Sequence, residues 1–258
     1  MAQECSVQTL LPLPDDLPFE LAALEKAVRY QQWIIKTIQP FLGKRILELG
    51  AGIGNMSRWF TSADRLILTE MDPQLLHLLA SRISTWPIDP DKILLKSLDL
   101  EKQSLDLFQS ENIDTIVSFN VLEHISDDLA VIQQGMELLR KSHAPGSKRI
   151  ITFVPAHMWA YGVMDKAVGH HRRYTRKMFT ELHEKAAPDA RLILQPFNFT
   201  GLFGWFVNGR ILQKQSAGTG IIHIFEKLCP FIQWVDRIVI KNMKIPLGQS
   251  LLVIQEIE

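Results

Sequence analysis

Cysteine is nearly absent: Cys5 and Cys229 are the only two in 258 residues. Thiols so far apart in sequence build neither a disulfide framework nor a zinc knuckle, which favours a reducing, cytoplasmic setting. Net charge is absent too, since 28 Lys plus Arg balance 28 Asp plus Glu. No general field therefore draws nucleic acid, although a local basic patch stays open. A long apolar run is missing as well. The most apolar stretch, FNFTGLFGWFVNGRIL, is broken by Asn198, Asn208 and Arg210 and is too short to cross a bilayer, so a soluble protein is expected. The first twenty residues lack a basic segment followed by an apolar core, so no secretion signal is read. Internal repeats and low-complexity tracts are lacking.

What is there is a regular alternation. Residues 1 to 18, with Pro12, Pro14 and Pro18, read as an extended lead-in. Leu21, Leu24, Val28, Ile35 and Ile38 recur at helical spacing until Pro40, which predicts one helix from Glu20 to about Gln39. Strand-like runs follow at 45–49, 65–69, 92–96, 114–119 and 149–154, with amphipathic segments between them. The clearest is 127–141, where Leu129, Ile132, Met136 and Leu139 line one face behind Ser126-Asp127-Asp128. Further strands are expected at 191–195 and 250–257. Continuous apolar strands separated by helices imply a parallel sheet covered on both faces, an α/β class.

The informative stretch is RILELGAGIGN, residues 45–55. Ligands of open α/β sheets sit beyond the carboxyl ends of the strands, and the turn after the first strand lies there. The dinucleotide spacing G-x-G-x-x-G would need a third glycine at position 55, which is Asn, and no G-K-[ST] follows for a phosphate loop. Glu48 would repel phosphate but suits a cation. S-adenosylmethionine (SAM) carries an ammonium and a sulfonium and no phosphate. Glu70 ends the next strand twenty residues after Gly50, the distance at which an acid bonds ribose hydroxyls. Asp99 and Leu100 close the third strand, where a carboxylate accepts from the adenine amino group and a leucine packs on the ring.

With these residues in view the chain resembles the class I SAM-dependent methyltransferases. The resemblance rests on ELGAGIGN (48–55), LTEMD (68–72), SLDL (97–100) and DTIVSFNVLEHISDD (114–128). It is most similar to bacterial small-molecule methyltransferases carrying YxxW, here Tyr30 and Trp33, and GHxRRYT, here Gly169 to Thr175. The resemblance implies a Rossmann-like seven-stranded sheet with the last strand antiparallel, helices on both faces and a small helical lid. It further implies that Glu48 with Gly50, Ala51 and Gly52 holds the methionine end of SAM. Glu70 would hold the ribose, Met71 would flank the adenine, Asp99 and Leu100 would receive the base, and Asn120 would line the cofactor. Tyr30 is assigned to the cofactor and Trp33 to the substrate. One domain is expected: lead-in and helix to residue 40, SAM-binding core 41–155, substrate-side loop and lid 156–248, final strand 249–258.

Two clusters bear on the acceptor. The Glu123-His124 pair is similar to that of quinone-type O-methyltransferases, where a preceding acid completes a divalent metal site. That position is Asn120 here, so no metal is expected. In DKAVGHHRRYT, residues 165–175, the loop is expected to close over the substrate and meet an anionic or hydroxyl group through His171, Arg172 and Arg173. His124, His170 or Tyr174 would assist deprotonation, and a basic surface loop is the plain alternative. Ile222, Phe225, Leu228, Ile232, Val235 and Ile238 at helical spacing read as an apolar lid or, equally, as core packing. The expected activity is methyl transfer from SAM to an O, N or C atom of a small, partly apolar or lipid-like metabolite. A homodimer stays open. A catalytically silent SAM-binding scaffold and a nicotinamide oxidoreductase are the alternatives.

Overall fold

The computed structural model describes residues 17–213 and 219–258; the expected lead-in, with Cys5, lies almost wholly outside them. Seven strands form one sheet: β1 (Arg45–Leu49), β2 (Arg65–Glu70), β3 (Ile93–Ser97), β4 (Thr115–Phe119), β5 (Lys148–Pro155), β6 (Arg191–Phe197) and β7 (Ser250–Ile257). Their order is β3-β2-β1-β4-β5-β7-β6. The first five are parallel, and β7 runs antiparallel between β5 and β6. Strand order reverses between β1 and β4, so the carboxyl ends of these two neighbours open the crevice in which such sheets bind ligands.

Side chains alternate between two cores. Leu47, Leu49, Ile116 and Val253 face one apolar cluster, together with Ile132, Met136 and Phe179. Ile46, Leu66, Leu68 and Val117 face the other, with Ile34, Ile38 and Leu79. Period-two alternation on strands that are buried on both sides leaves few solvent-facing positions, which is why these runs are so continuously apolar. Each fully buried Leu or Phe contributes about 1.5–3 kcal/mol of transfer free energy.

The helices begin where the sequence offers caps. α3 (Pro73–Ile83) starts at Asp72, whose Oδ1 accepts from Gln74 N at 2.8 Å, with Pro73 in the first turn. α4 (Asp128–Lys141) is capped by Asp127 and α6 (Arg176–Ala186) by Thr175, whose Oγ1 accepts from Met178 N at 3.1 Å. One expectation is corrected. The single helix from 20 to 39 is two, α1 (Phe19–Lys26) and α2 (Val28–Ile38), broken at Ala27 with φ −94° and ψ 57°. The break lets α1 turn across the ligand edge while α2 packs on the sheet. The short α5 (Val163–Ala167) follows β5. Between β6 and β7 stand α7 (Phe199–Phe206), extended by a π-helical turn, Val207–Ile211, and α8 (Thr219–Asp236). α8 lies against α1, α2 and α7. The α7–α8 pair is tied at its base by Asp236, whose two carboxylate oxygens accept from Asn198 N and Phe199 N at 2.7 Å each.

Candidate active site

The turn after β1 is left-handed at each glycine: φ is +66° at Gly50, +56° at Gly52 and +82° at Gly54. A Cβ on Gly50 would stand 2.6 Å from Val121 Cγ2, so the turn also lies hard against the residues leaving β4. Its backbone is tied to β2: Ala51 N donates to Thr69 O at 2.8 Å and Gly52 N to Glu70 Oε2 at 2.9 Å. Glu70 Oε1 accepts from Met71 N and Asp72 N, so this one carboxylate clamps the exits of β1 and β2 together.

Glu48 is 2% exposed and its Oε2 accepts from Ser57 Oγ. Burial raises its carboxyl pKa to about 8; Ser57 opposes the shift and the charge of Glu70 adds to it. A cation in the turn would restore the ionised form. Asn55, the residue that breaks the dinucleotide spacing, donates from Nδ2 to Leu21 O at 2.9 Å. α1 is thereby held over the glycine turn, and Leu21 fills the space beside Gly52.

Other expected cofactor residues are spread more widely. Met71 is 64% exposed. Asp99 accepts from Glu101 N at 3.0 Å and from Lys102 Nζ at 2.7 Å, an arrangement that serves the turn, and Leu100 packs on the first apolar cluster. Asn120 stands exposed at the end of β4 with φ +54°. Tyr30 and Trp33 stand in an aromatic group. Their rings pack on Phe197 at the end of β6, and Tyr30 also packs on Phe225 of α8 at 5.4 Å between centroids. They join α2 to β6 and the lid helix, because large aromatic surfaces find the most burial there.

The loop 165–175 and the residues after β4 meet in a buried polar cluster. His170, 6% exposed, has Nδ1 3.0 Å from Asp165 Oδ1. Among the described residues its Nε2 has no hydrogen-bond partner, and it faces Glu20 Oε1 at 3.6 Å and Glu123 Oε1 at 3.7 Å. Glu123 is fully buried, and among the described residues no other group hydrogen-bonds its oxygens; burial, opposed by its own backbone N–H and aided by the neighbouring Glu20 charge, pushes its carboxyl well above the ordinary range. Burial also raises Glu20, against the pull of His170. The His124 ring stands edge-on to His170 at 4.8 Å, and burial, followed by the charge of His170, lowers its pKa to about 4. Glu20, His124 and His170 bring one potential ligand atom each within 4.8 Å of one another.

The arginines point the other way from expectation. Arg173 Nε donates to Asp165 Oδ1 at 2.7 Å and Nη1 to Ala156 O, with its guanidinium 4.9 Å from the Trp205 ring of α7. Arg172 pairs with Asp128 Oδ2 at 2.8 Å and donates to Ser126 O. Both guanidinium groups are engaged by groups of the protein itself, which leaves acids and imidazoles around His170. Tyr174, expected as a base, donates its hydroxyl to Asp128 Oδ2 at 2.6 Å and is 1% exposed. Burial and the Asp128 carboxylate push its phenol further up, which leaves it a structural strut. His171 is exposed; its backbone N donates to Glu123 O at 2.8 Å. The sequence did not single out Asp165, which lies 3.0 Å from His170 Nδ1, or Glu20, 3.6 Å from its Nε2. Asp165 was visible only as an acid five residues before His170, and Glu20 gave no local signal.

Residues 47–146 match a family described as a methyltransferase domain. That segment holds the glycine turn, Glu70, Asp99 and the Glu123-His124 pair. Over those residues the chain is similar to methyltransferase domains. No curated protein matches it by sequence. Solved structures share its fold at low identity. A SAM-dependent methyltransferase from Mesorhizobium loti is 14% identical with a TM-score of 0.56, covering 91% of this chain and 100% of that one. One from Archaeoglobus fulgidus is 11% identical with a TM-score of 0.53, covering 93% and 100%. The glycopeptide N-methyltransferase MtfA, complexed with SAM, is 13% identical with a TM-score of 0.50, covering 90% and 93%. None of the described helices is long and apolar enough to cross a membrane.

Proposed function

We propose that this methyltransferase, acting in the cytoplasm, transfers the methyl group of SAM to an O, N or C atom of a small, partly apolar acceptor. In this reading His170 takes the acceptor's proton. The observation that carries it is the buried Asp165–His170 pair, whose free Nε2 opens toward Glu20 and Glu123. An imidazole oriented at one nitrogen by a carboxylate and free at the other is built to accept a proton there. In this reading the β1 turn and Glu48 hold the methionine end of SAM. Glu70 reaches the ribose, Met71 flanks the adenine, Asp99 and Leu100 border the base, and Asn120 lines the crevice. The chain then works as one domain, with 41–155 binding SAM and 156–248 enclosing the acceptor.

Methyl transfer is an in-line displacement. The acceptor atom's lone pair forms the new bond to the methyl carbon as the carbon–sulfur bond breaks, and the sulfonium leaves as a neutral thioether. Charge disperses in the transition state, so alignment and exclusion of water carry most of the acceleration. α1 and the 165–175 loop supply that enclosure. His170 matters where the acceptor carries a proton that must leave. Calorimetry with SAM and with S-adenosylhomocysteine tests the cofactor assignment: Glu48→Ala and Glu70→Ala should abolish micromolar binding, and undiminished binding in both overturns it.

A second reading rests on the Glu20, His124 and His170 grouping. The Asp165–His170 hydrogen bond is the kind of outer carboxylate contact that orients metal-ligating histidines, and Glu123 adds an unpartnered buried carboxylate beside them. A divalent cation there would supply a Lewis acid for an acceptor hydroxyl. Titration with Mn²⁺ and with Mg²⁺ should then show one site that Glu20→Gln weakens; no binding of either ion discards this reading.

A further inference from the structure

α8 is apolar on two adjacent stripes. The inner one, Phe225, Cys229 and Ile232, faces the protein. The outer one, Ile221, Ile224, Leu228 and Phe231, recurs at steps of three and four residues on one helix face, and all four side chains are exposed. Trp234 extends it, its ring 5.7 Å from that of Phe231. The preceding helix and its π turn leave a second exposed row, Phe203, Val207 and Ile211, spaced by four. A protein surface rarely leaves this much large apolar side chain in water without a use for it.

Charge separates the candidate occupants. Residues 199–246 contain six Lys and Arg against two acids, a net charge of +4 in a chain whose total is zero. Both acids are engaged: Glu226 accepts from Arg29 N, and Asp236 caps α7. Arg210, Lys227, Arg237 and Lys244 are exposed. A second copy of this segment would set positive charge against positive charge, and a neutral apolar partner would leave the cations unused. An anionic lipid surface takes both features at once, with apolar side chains entering the acyl boundary and cations meeting the headgroups.

We propose that the α7–α8 segment docks the methyltransferase on the surface of an anionic phospholipid bilayer, lying on it without crossing it. The site would then open beside the membrane, since Trp205 of α7 touches Arg173 and Asp165 of the catalytic loop. The test uses the full chain with vesicles of phosphatidylcholine alone and of phosphatidylcholine with phosphatidylglycerol, read by co-sedimentation. Binding should require phosphatidylglycerol and fall steeply with added salt. Phe231→Ser with Trp234→Ser should abolish it, and Lys227→Glu with Arg237→Glu should weaken it about tenfold or more. SAM affinity measured without lipid stays unchanged in both variants, which separates this outcome from failure of the cofactor assignment and from misfolding. Absence of binding to phosphatidylglycerol vesicles overturns the proposal. So does a concentration-dependent dimer, seen by light scattering, that the Phe231 and Trp234 changes dissolve.

Discussion

Asp165 accepts from His170 and Arg173 through the same oxygen, at 3.0 Å and 2.7 Å. Burial works against its ionisation, but the His170 hydrogen bond and the Arg173 charge outweigh it and hold the carboxyl below its usual value. An ionised, fixed carboxylate at Nδ1 settles the ring's direction and turns Nε2 of His170 toward Glu20 and Glu123.

Removal of that nitrogen is the direct check. His170→Ala should lower kcat about 10²–10⁴-fold for an acceptor that loses a proton, with SAM affinity preserved. Asp165→Asn should cause a smaller loss and alter the pH profile of kcat, because the amide restrains the imidazole without its charge. Steady-state kinetics across pH, with SAM binding measured in parallel, decides it; equal loss of turnover and SAM affinity would place the pair at the cofactor instead.

Glu48 gives a pH prediction with a definite sign. Its folded-state pKa of about 8 lies above the ordinary 4.5, so between those values the folded protein holds a proton that the unfolded chain has released. Its contribution to stability is therefore full below 4.5 and declines as pH rises toward 8. Glu48→Gln should flatten that decline, and thermal melts of the SAM-free protein from about pH 5 to about pH 8 will show it. SAM, bringing positive charge, should also expel the proton: calorimetry at neutral pH in buffers of different ionisation enthalpy should detect proton release that Glu48→Gln removes.

Gly50→Ala should damage fold and cofactor site together. The left-handed backbone alone costs about 1–2 kcal/mol for a residue with a Cβ, and that Cβ would meet Val121. A lowered Tm together with weakened SAM binding is expected, whereas Gly146→Ala, also left-handed but with nothing near its Cβ, should lower Tm and leave SAM binding intact.

Asp236 joins the base of the lid. Asp236→Ala removes the acceptor for the first two N–H groups around α7, a loss of about 0.5–2 kcal/mol for a helix cap. Through Trp205 and Arg173 the change should reach the catalytic loop, lowering kcat while leaving SAM affinity intact; hydrogen exchange should rise in α7 first.

The strand cores, the glycine turn and the helix start at Asp127 were legible in the sequence because each depends on neighbours in the chain. Alternation, positive φ and a side chain reaching its own helix start are local physics. The same holds for the break in the dinucleotide spacing at Asn55. The break at Ala27 was not legible, since the apolar spacing runs through it unchanged and the turn of α1 over Leu21 and Asn55 is a tertiary preference.

The sequence by itself determined the sheet and pointed to a methyltransferase domain, because an ordered set of short motifs with correct spacing encodes where one ligand meets backbone. Only the tertiary structure decided which partners the members of GHHRRYT meet. Arginine and tyrosine are silent about direction until partners 8, 44 and 46 residues away in sequence claim them, Asp165 for Arg173, Asp128 for Arg172 and Tyr174. Those ion pairs and hydrogen bonds, formed where charge cannot stay unpaired in a buried place, withdrew the cations and left His170 facing two carboxylates.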